Sequence, residues 1–206
     1  MKWFLLLLVA FLTLVGCSSK SRLVHTGFLK GYENLKPLST RANHLIYKES
    51  DANLSAYTKL YIPEIKVLSL SPEISPYDRE LYAKVSAYCT ASYKKLISKK
   101  SANYELVGVG QKGTLVLEVA LSLVDGNNLD KAKAVAFVKK HHNAKLYEEG
   151  RTHLLVEVKT RDAMNNKVLV QSMRLMDEKK IKVTSKQIQF KDLQPALDAW
   201  LAQLIR

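Results

Sequence analysis

The residue with the clearest chemical role in this sequence is Cys17, because of what precedes it. Lys2 supplies a positive charge, and an apolar run from Trp3 to Val15 follows, interrupted only by Thr13. A helix needs about 20 apolar residues to cross a bilayer, so this run is too short for a transmembrane span. It matches the basic and apolar regions of a secretory signal, and we expect an export signal at this end of the chain.

The four residues Leu14-Val15-Gly16-Cys17 resemble the lipobox of bacterial lipoproteins. The Cys17 thiol can be alkylated with a diacylglycerol, Gly16 leaves a peptidase room to reach the adjacent bond, and Leu14 suits an apolar subsite. We therefore predict cleavage between Gly16 and Cys17 and a covalent lipid of the palmitate type on Cys17, because two or more acyl chains anchor a protein stably. An Asp at position 18 would resemble an inner-membrane retention signal; Ser18 favours the outer membrane, facing the periplasm.

No other spacing in the sequence marks a catalytic centre. There is no Walker-type phosphate loop, no Gly-x-Ser-x-Gly elbow, no Cys-x-x-Cys pair and no His-Glu-x-x-His motif. The nearest approach to a metal site is His141-His142, with His153 and Glu148 or Glu149 as further ligands. Adjacent histidines on a helix point about 100° apart, so the pair rarely shares a metal. We predict a solvated basic patch here, whose charge changes as the histidines titrate near pH 6. We expect no metal, no cofactor and no catalytic residue.

The formal net charge of +13 narrows the choice of partners. Nucleic acid is the usual partner of so basic a chain, but an export signal argues against it. Outside the cytoplasm, positive charge favours anionic lipid, lipopolysaccharide phosphate or acidic proteins. A solvated surface without a specific ligand explains the lysines equally well. The candidate anionic-surface contacts are Lys94, Lys95, Lys99, Lys100, Lys139, Lys140, Lys179, Lys180 and Lys182.

Hydrophobic periodicity predicts the elements that position these residues. Ser75 and Pro76 are typical of an N-cap and a first helical residue, and an apolar face then repeats at three- and four-residue spacing. Cys89 lies on that face, so we expect it to be buried; a catalytic Cys is the alternative. A second helix ends the chain. Strands are predicted over 44–47, 57–70, 104–109, 114–124, 154–159 and 168–175.

The connections between these elements complete the architecture. We expect the strands at 104–109 and 114–124 to form a hairpin-like pair across three glycines, and the last two strands to form a hairpin. Residues 27–38 suggest an irregular strap, and residues 125–150 a weakly packed excursion. The sequence therefore predicts an α+β fold: a two-layer sandwich of a mainly antiparallel sheet and two principal helices. We place the signal peptide at 1–16, a lipidated tether at 17–26 and a single domain at 27–206.

The order of several short motifs resembles a known family. Gly27-Phe28-Leu29, then Tyr32, Leu35 and Pro37, followed by Leu54, Tyr57 and Lys59 before a strand, resemble the start of the bacterial lipoproteins grouped as domain of unknown function 3313. The hairpin near Asp162 and the ending Leu197-Asp198-Ala199-Trp200 are similar to that family as well. The resemblance covers roughly residues 25–206. It implies an exported, membrane-tethered α+β domain, and it transfers no catalytic residue.

Three functions are consistent with these observations. The first is a non-catalytic envelope lipoprotein that binds another envelope component through its sheet edge or strap. The second is a binding module for an anionic lipid or polymer, which would use the lysines named above. The third is a hydrolase with an unrecognised site. The expected partners are the membrane, through the lipid anchor, and an envelope protein or anionic lipid, but not nucleic acid.

Overall fold

The computed structural model describes residues 25–38, 41–69, 75–100, 103–125, 151–176, 179–181 and 188–204. The signal at 1–16, residues 17–24 of the tether, the excursion from 126 to 150, His141, His142, Lys139, Lys140 and Lys182 lie outside these ranges. The described strands are β1 (Lys36–Leu38), β2 (Arg41–Lys48), β3 (Lys59–Tyr61), β4 (Lys66–Val67), β5 (Glu105–Val107), β6 (Thr114–Asp125), β7 (Arg151–Asp162), β8 (Val168–Leu175) and β9 (Lys179–Lys180). The helices are α1 (Pro76–Lys100) and α2 (Phe190–Leu204), with 3-10 turns at Tyr32–Asn34 and Leu54–Ala56.

One sheet contains all the described strands, in the order β1-β2-β8-β7-β6-β3-β5, with β4 beside β6 and β9 beside β7. The strands from β1 to β6 along this order pair antiparallel, whereas β3 and β4 run parallel to β6, and β5 runs parallel to β3. The predicted α+β fold with a mainly antiparallel sheet and two principal helices is therefore confirmed.

The predicted hairpin-like pair of β5 and β6 is wrong, because β3 lies between these strands. Lys59 faces Glu105 on one side and Thr114 on the other, and both pairings are parallel. Parallel neighbours need a crossover connection, which α1 supplies between β3 and β5. The glycines between β5 and β6 mark a turn, with Gly113 at φ 76°, but a turn does not determine which strands pair.

The single strand predicted over 57–70 is divided into β3 and β4. Pro63 has no backbone N–H to contribute to a ladder, and it stands in the interruption. Ile62 and Ile65 on either side of Pro63 are each 1% exposed, so the interruption remains part of the core. The Ile65 N–H donates to Thr90 Oγ1 of α1 at 2.9 Å, and Ser86 Oγ donates to the Ile65 carbonyl at 2.5 Å. Side chains of α1 thus replace a neighbouring strand here.

The remaining predicted elements are confirmed at their expected positions. Ser75 caps α1: its Oγ accepts from the Asp78 N–H at 3.1 Å, and Asp78 accepts from the Ser75 N–H at 3.3 Å. The hairpin of β7 and β8 is closed by Asp162, whose Oδ1 accepts from the N–H groups of Met164 and Asn165.

Both helices pack on one face of the sheet. Cys89 is fully buried there, as predicted, among residues of α1, α2 and the strands β6 and β7. Strand β6 is buried on both faces, since Val116, Ala120 and Ser122 are as inaccessible as Val119 and Leu121. The core on the helix side contains Leu81, Val85, Cys89, Val119, Leu121, Leu154, Val156, Leu193, Leu197 and Trp200.

Candidate functional site on the strap face

Residues 25–35, which we call the strap in the structure, lie on the face of the sheet opposite to the helices. The irregular strap predicted over 27–38 is wrong at its end, because Lys36–Leu38 form the edge strand β1. The anchor of this contact is Glu157, in the middle of β7. Its side chain is 1% exposed. One carboxylate oxygen accepts from the Thr26 hydroxyl and the other accepts from the Tyr32 hydroxyl at 2.5 Å. A buried charge is costly unless it is hydrogen-bonded. The two hydroxyls of the strap therefore offset the free-energy cost of burying this carboxylate in the sheet.

Tyr32 connects this carboxylate to the backbone of the strap. Its hydroxyl accepts from the Leu29 N–H at 2.9 Å while it donates to Glu157. Burial, together with the hydrogen bond to Glu157, raises the pKa of Tyr32 far above its ordinary value. The His25 ring stacks on Tyr32 with 3.9 Å between ring centroids. The first residues of the strap are thus held by both hydrogen bonds and ring contacts.

A second polar contact holds the strap one strand further along the sheet. The Lys30 N–H donates to Gln171 Oε1 of β8 at 3.2 Å, and Gln171 Nε2 donates to the Lys30 carbonyl at 3.0 Å. This reciprocal pair satisfies a buried amide with a backbone that belongs to no strand. Leu29 and Leu35 are buried on either side of this contact. The strap therefore acts as a small second layer on this face.

Charged groups surround the ring of Phe28 next to these contacts. Lys159 Nζ lies 4.8 Å from the ring centroid and Lys66 Nζ lies 5.9 Å from it. Lys159 also pairs with Glu118 at 2.7 Å, and Arg161 binds the same carboxylate at 3.1 Å. Burial acts to raise the pKa of Glu118, but the two cations outweigh it and the pKa is lowered. Three cations thus stand against the single carboxylate of Glu118, so the cluster around Phe28 carries a net positive charge.

This arrangement attaches a chain segment to the sheet, because both oxygens of Glu157 accept from hydroxyls of the strap. The sequence singled out Tyr32 only as part of the family resemblance, and it did not single out Glu157, Thr26 or Gln171. One signal was present: Glu157 interrupts the apolar run from Leu154 to Val158 in a strand that is buried on both faces.

The described lysines among the predicted anionic-surface contacts lie at two ends of the sheet. Lys94, Lys95 and Lys99 are exposed near the C-terminus of α1, where Ile97 packs against the cluster that contains Leu115, at the start of β6. Lys179 and Lys180 form β9 and pair with Thr152 and Arg151, at the opposite end of β7. Strands rise by about 3.3 Å per residue, so most of the length of β7 separates the two groups. Lys100 ends α1.

The glycines before β6 have the spacing Gly-x-Gly-x-x-Gly, at Gly108, Gly110 and Gly113. In dinucleotide-binding proteins this motif opens a helix whose N-terminus receives the phosphates. Here the motif leads into a strand, β6, and a Cβ on Gly110 would come within 3.0 Å of the Ala163 Cβ. Gly110 therefore allows close packing of this loop against the turn between β7 and β8, and Gly113 allows a positive φ.

Two further sequence predictions concern histidine and cysteine. In the described part of the chain, no group of three or more His, Cys, Asp or Glu residues is arranged to hold a metal ion. His153 lies in β7, where its Nδ1 is 3.0 Å from the Met176 carbonyl. Burial raises the pKa of Cys89 to about 12, which makes its thiol a weak nucleophile near neutral pH. Neither described helix is long and apolar enough to cross a bilayer.

Fold and site together define a class: an α+β domain whose N-terminal strap is fastened to the sheet face that the helices leave open. The chain belongs to the DUF3313 family of proteins of unknown function, whose family model matches residues 25–204. The family resemblance is therefore confirmed, and the matched region begins at the first residue of the strap. No curated protein matches the sequence significantly.

Two solved structures illustrate the similarity of fold. The PelC dodecamer from Paraburkholderia phytofirmans is 10% identical, with a TM-score of 0.40, over 79% of this chain and 94% of that one. A DUF4136 family protein from Bacteroides thetaiotaomicron is 15% identical, with a TM-score of 0.36, over 79% of this chain and 96% of that one.

Proposed function

We propose that this protein is a lipid-anchored domain of the bacterial envelope, located at the outer membrane and facing the periplasm, that binds another envelope component without catalysis. The observation that carries the proposal is the attachment of the strap. The lipobox-like Cys17 precedes Thr26 by a short tether, and Thr26 is bonded to a carboxylate at the centre of the sheet. A domain of this kind is held close to its membrane through the residues that join the tether to the sheet.

The length of the tether sets the range of the domain. An extended chain spans at most about 3.3–3.6 Å per residue, so the segment from Cys17 to Thr26 reaches roughly 30 Å. The strap transfers that restraint to β7 and β8 through Glu157 and Gln171. Without those contacts the strap would lengthen the tether, and the domain would sample a larger volume. The contacts therefore serve placement, which suits a binding component.

Labelling and fractionation test the anchor. Cells expressing the protein are labelled with an alkyne palmitate analogue, and their membranes are separated by density. The wild type and Cys89→Ala should incorporate the label and sediment with the outer membrane, while Cys17→Ala should lose the label and the sedimentation. Incorporation of the label by Cys17→Ala, or its absence from the wild type, would contradict the lipid anchor at Cys17. Sedimentation of the labelled wild type with the inner membrane would contradict only the proposed location at the outer membrane.

Cross-linking tests the binding role. Envelopes that contain the wild type or Cys17→Ala are cross-linked, and the adducts are purified through an affinity tag and identified by mass spectrometry. A defined set of envelope proteins should be recovered with the wild type. Recovery of the same set with Cys17→Ala would show that the domain itself selects them. If the wild type captures only what an unrelated lipoprotein of similar abundance captures, the binding role fails.

The lysines near the end of α1 support a second candidate, an anionic-surface module. Lys94, Lys95 and Lys99 are exposed there, and Lys95 and Lys99 are one helical turn apart. Like charges at this spacing repel each other, and an anionic ligand would relieve that repulsion. The test is binding to vesicles that contain phosphatidylglycerol at low and high salt. Binding that is insensitive to salt, or unchanged in the Lys94→Glu/Lys95→Glu/Lys99→Glu variant, would exclude this candidate.

A further inference from the structure

Two loops meet at the end of the sheet where β6 begins, and we call them together the tip: residues 108–113 and residues 162–167. A Cβ built on Gly110 would come within 3.0 Å of the Ala163 Cβ, so the two loops are in close contact. The Ala163 N–H donates to the Thr114 carbonyl at 3.1 Å, which joins the second loop to the start of β6. The tip is therefore one surface formed by two loops.

Each loop of the tip exposes one apolar side chain. Only three large apolar side chains in the described part of the chain are exposed, and two of them are Val109 and Met164, at 67% and 66%. They are the sequence neighbours of Gly110 and Ala163, so they flank the contact between the loops. A single exposed apolar residue is ordinary, but a pair on adjoining loops favours a surface that meets an apolar phase.

The turn that presents Met164 is held by hydrogen bonds of its own. Asp162 Oδ1 accepts from the N–H groups of Met164 and Asn165. The other carboxylate oxygen of Asp162 accepts from the Tyr57 hydroxyl at 2.9 Å. Because the turn is already ordered, binding through Met164 carries a low cost in conformational entropy.

Exposed lysines lie at the same end of the sheet. Lys112 belongs to the first loop of the tip. The last turns of α1 pack at this end and expose three more lysines, Lys94, Lys95 and Lys99. Lysines near an anionic lipid surface are attracted to it over a Debye length, which is about 10 Å at 0.1 M salt. The tip thus combines apolar side chains with positive charge, as proteins that lie on anionic membranes do.

The carboxylates at this end do not cancel the positive charge. Over the described side chains of 48–59, 94–112 and 161–167, Lys and Arg number eight and the carboxylates four: Glu49, Asp51, Glu105 and Asp162. Asp51 is also paired with Lys167 at 2.8 Å. Ser101 and Ala102, which lie outside the described residues, carry no charge, so the balance does not depend on them. This end is therefore complementary to an anionic surface.

The tether allows the tip to reach the membrane that holds Cys17. Thr26 is fastened to Glu157, five residues before Asp162 in β7. At about 3.3 Å per residue, roughly 17 Å separates this attachment from the tip. The tether between Cys17 and Thr26 reaches roughly 30 Å, so the lipid and the tip can contact the same bilayer.

We infer that the tip docks on an anionic phospholipid bilayer. Val109 and Met164 enter the boundary between headgroups and acyl chains, and the lysines lie against the phosphates. The inference rests on the second candidate function, the anionic-surface module, and adds the residues that enter the bilayer. In this orientation the start of α1 points away from the membrane.

An environment-sensitive dye tests the inference. The full protein is purified from membranes, labelled with a nitrobenzoxadiazole maleimide at Val109→Cys, Met164→Cys or Arg79→Cys, and reconstituted into vesicles. Cys89 is fully buried, so the dye couples to the introduced cysteine. Emission from positions 109 and 164 should be at least twofold higher in vesicles with phosphatidylglycerol than in phosphatidylcholine alone, and lipids with brominated acyl chains should quench it. Emission from position 79, in the first turn of α1, should not change.

The matched pair of charge variants is Lys112→Glu and Lys191→Glu. Both replace an exposed lysine, but Lys191 stands at the start of α2, at the other end of the molecule. Lys112→Glu should reduce the rise at position 164 at least twofold, and Lys191→Glu should leave it unchanged. Equal loss in both variants would overturn the inference in favour of general electrostatics.

Three further outcomes would overturn the docking of the tip. They are no rise at positions 109 and 164, an equal rise at all three positions, and a rise without vesicles as the protein concentration increases, which would mark a contact between two copies. Flotation separates these outcomes from the proposed functions. Protein that floats with the vesicles but shows no rise retains its anchor, and salt-dependent binding without a rise retains the anionic-surface module.

Discussion

Replacing Glu157 by Gln removes one of the two carboxylate oxygens that hold the strap while preserving the size of the side chain. The Thr26 and Tyr32 hydroxyls each donate to a different oxygen of the carboxylate. In the amide, one of those oxygens becomes an NH2 group, which is itself a donor. One hydroxyl therefore faces a donor in a site where Glu157 is 1% exposed. It must rotate away and lose its acceptor.

The size of the effect follows from the bonds that change. A hydrogen bond to a charged group contributes about 1.5–3 kcal/mol, and the bond that remains becomes a neutral one worth about 1 kcal/mol. Relief from burying a charge offsets part of this loss. We expect Glu157→Gln to lower the free energy of unfolding by about 1–3 kcal/mol. Because only the strap loses its partner, cleavage by a protease within residues 25–35 should become faster as well.

Urea denaturation followed by circular dichroism measures the change in free energy, and limited proteolysis with mass spectrometry locates the cleavage. The matched control is Glu105→Gln, which makes the same chemical change at an exposed position in β5. It should alter the free energy of unfolding by no more than about 0.5 kcal/mol. A Glu157→Gln protein as stable as this control, with an unchanged rate of cleavage in the strap, would refute our account of the strap face.

Three further predictions follow from the same structure. Tyr32→Phe should be less stable than the wild type near neutral pH. Because the folded-state pKa of Tyr32 is raised, this difference in the free energy of unfolding should stay constant up to about pH 10 and shrink as the pH rises further. Unfolding curves that keep a constant difference up to pH 11 would contradict this prediction. Ser75→Ala should cost about 1 kcal/mol in urea denaturation through loss of the α1 cap, whereas exposed Ser98→Ala should cost less than half as much. Iodoacetamide should modify Cys89 at pH 8 at least a hundredfold more slowly in the native protein than in denaturant, and comparable rates would show that the thiol is accessible.

Local features of the fold were accessible from sequence because the groups that interact are close along the chain. Ser75 and Asp78, three residues apart, form the cap that starts α1. Asp162 closes the turn after β7 with the N–H groups of the next residues. In both places the residue types define a single favourable local geometry. The apolar face that buries Cys89 follows from spacing in the same way.

The contact between the strap and Glu157 could not be predicted from the sequence, because the residues that form it are far apart along the chain. Thr26 and Glu157 are 131 positions apart, and nothing in the sequence near either residue identifies the other. The insertion of β3 between β5 and β6 is non-local too, because it depends on the crossover through α1. The lysine surface shows the same limit. Lys99 and Lys179 look alike as members of basic clusters, but the position of β9 beside Thr152 places them at opposite ends of the sheet.

The position of Glu157 has a mechanical consequence. A chain anchored at Cys17 and pulled by a partner bound on the helix side would carry that load through the full thickness of the sheet. The load would enter at Thr26, pass from Glu157 into β7, and leave through the helices. Strand β7 has antiparallel neighbours, β6 and β8, on both sides. Thr26 is the first residue of the strap that contacts the sheet, so under tension its hydrogen bond to Glu157 would break first, and the released strap would lengthen the tether while the domain stayed folded.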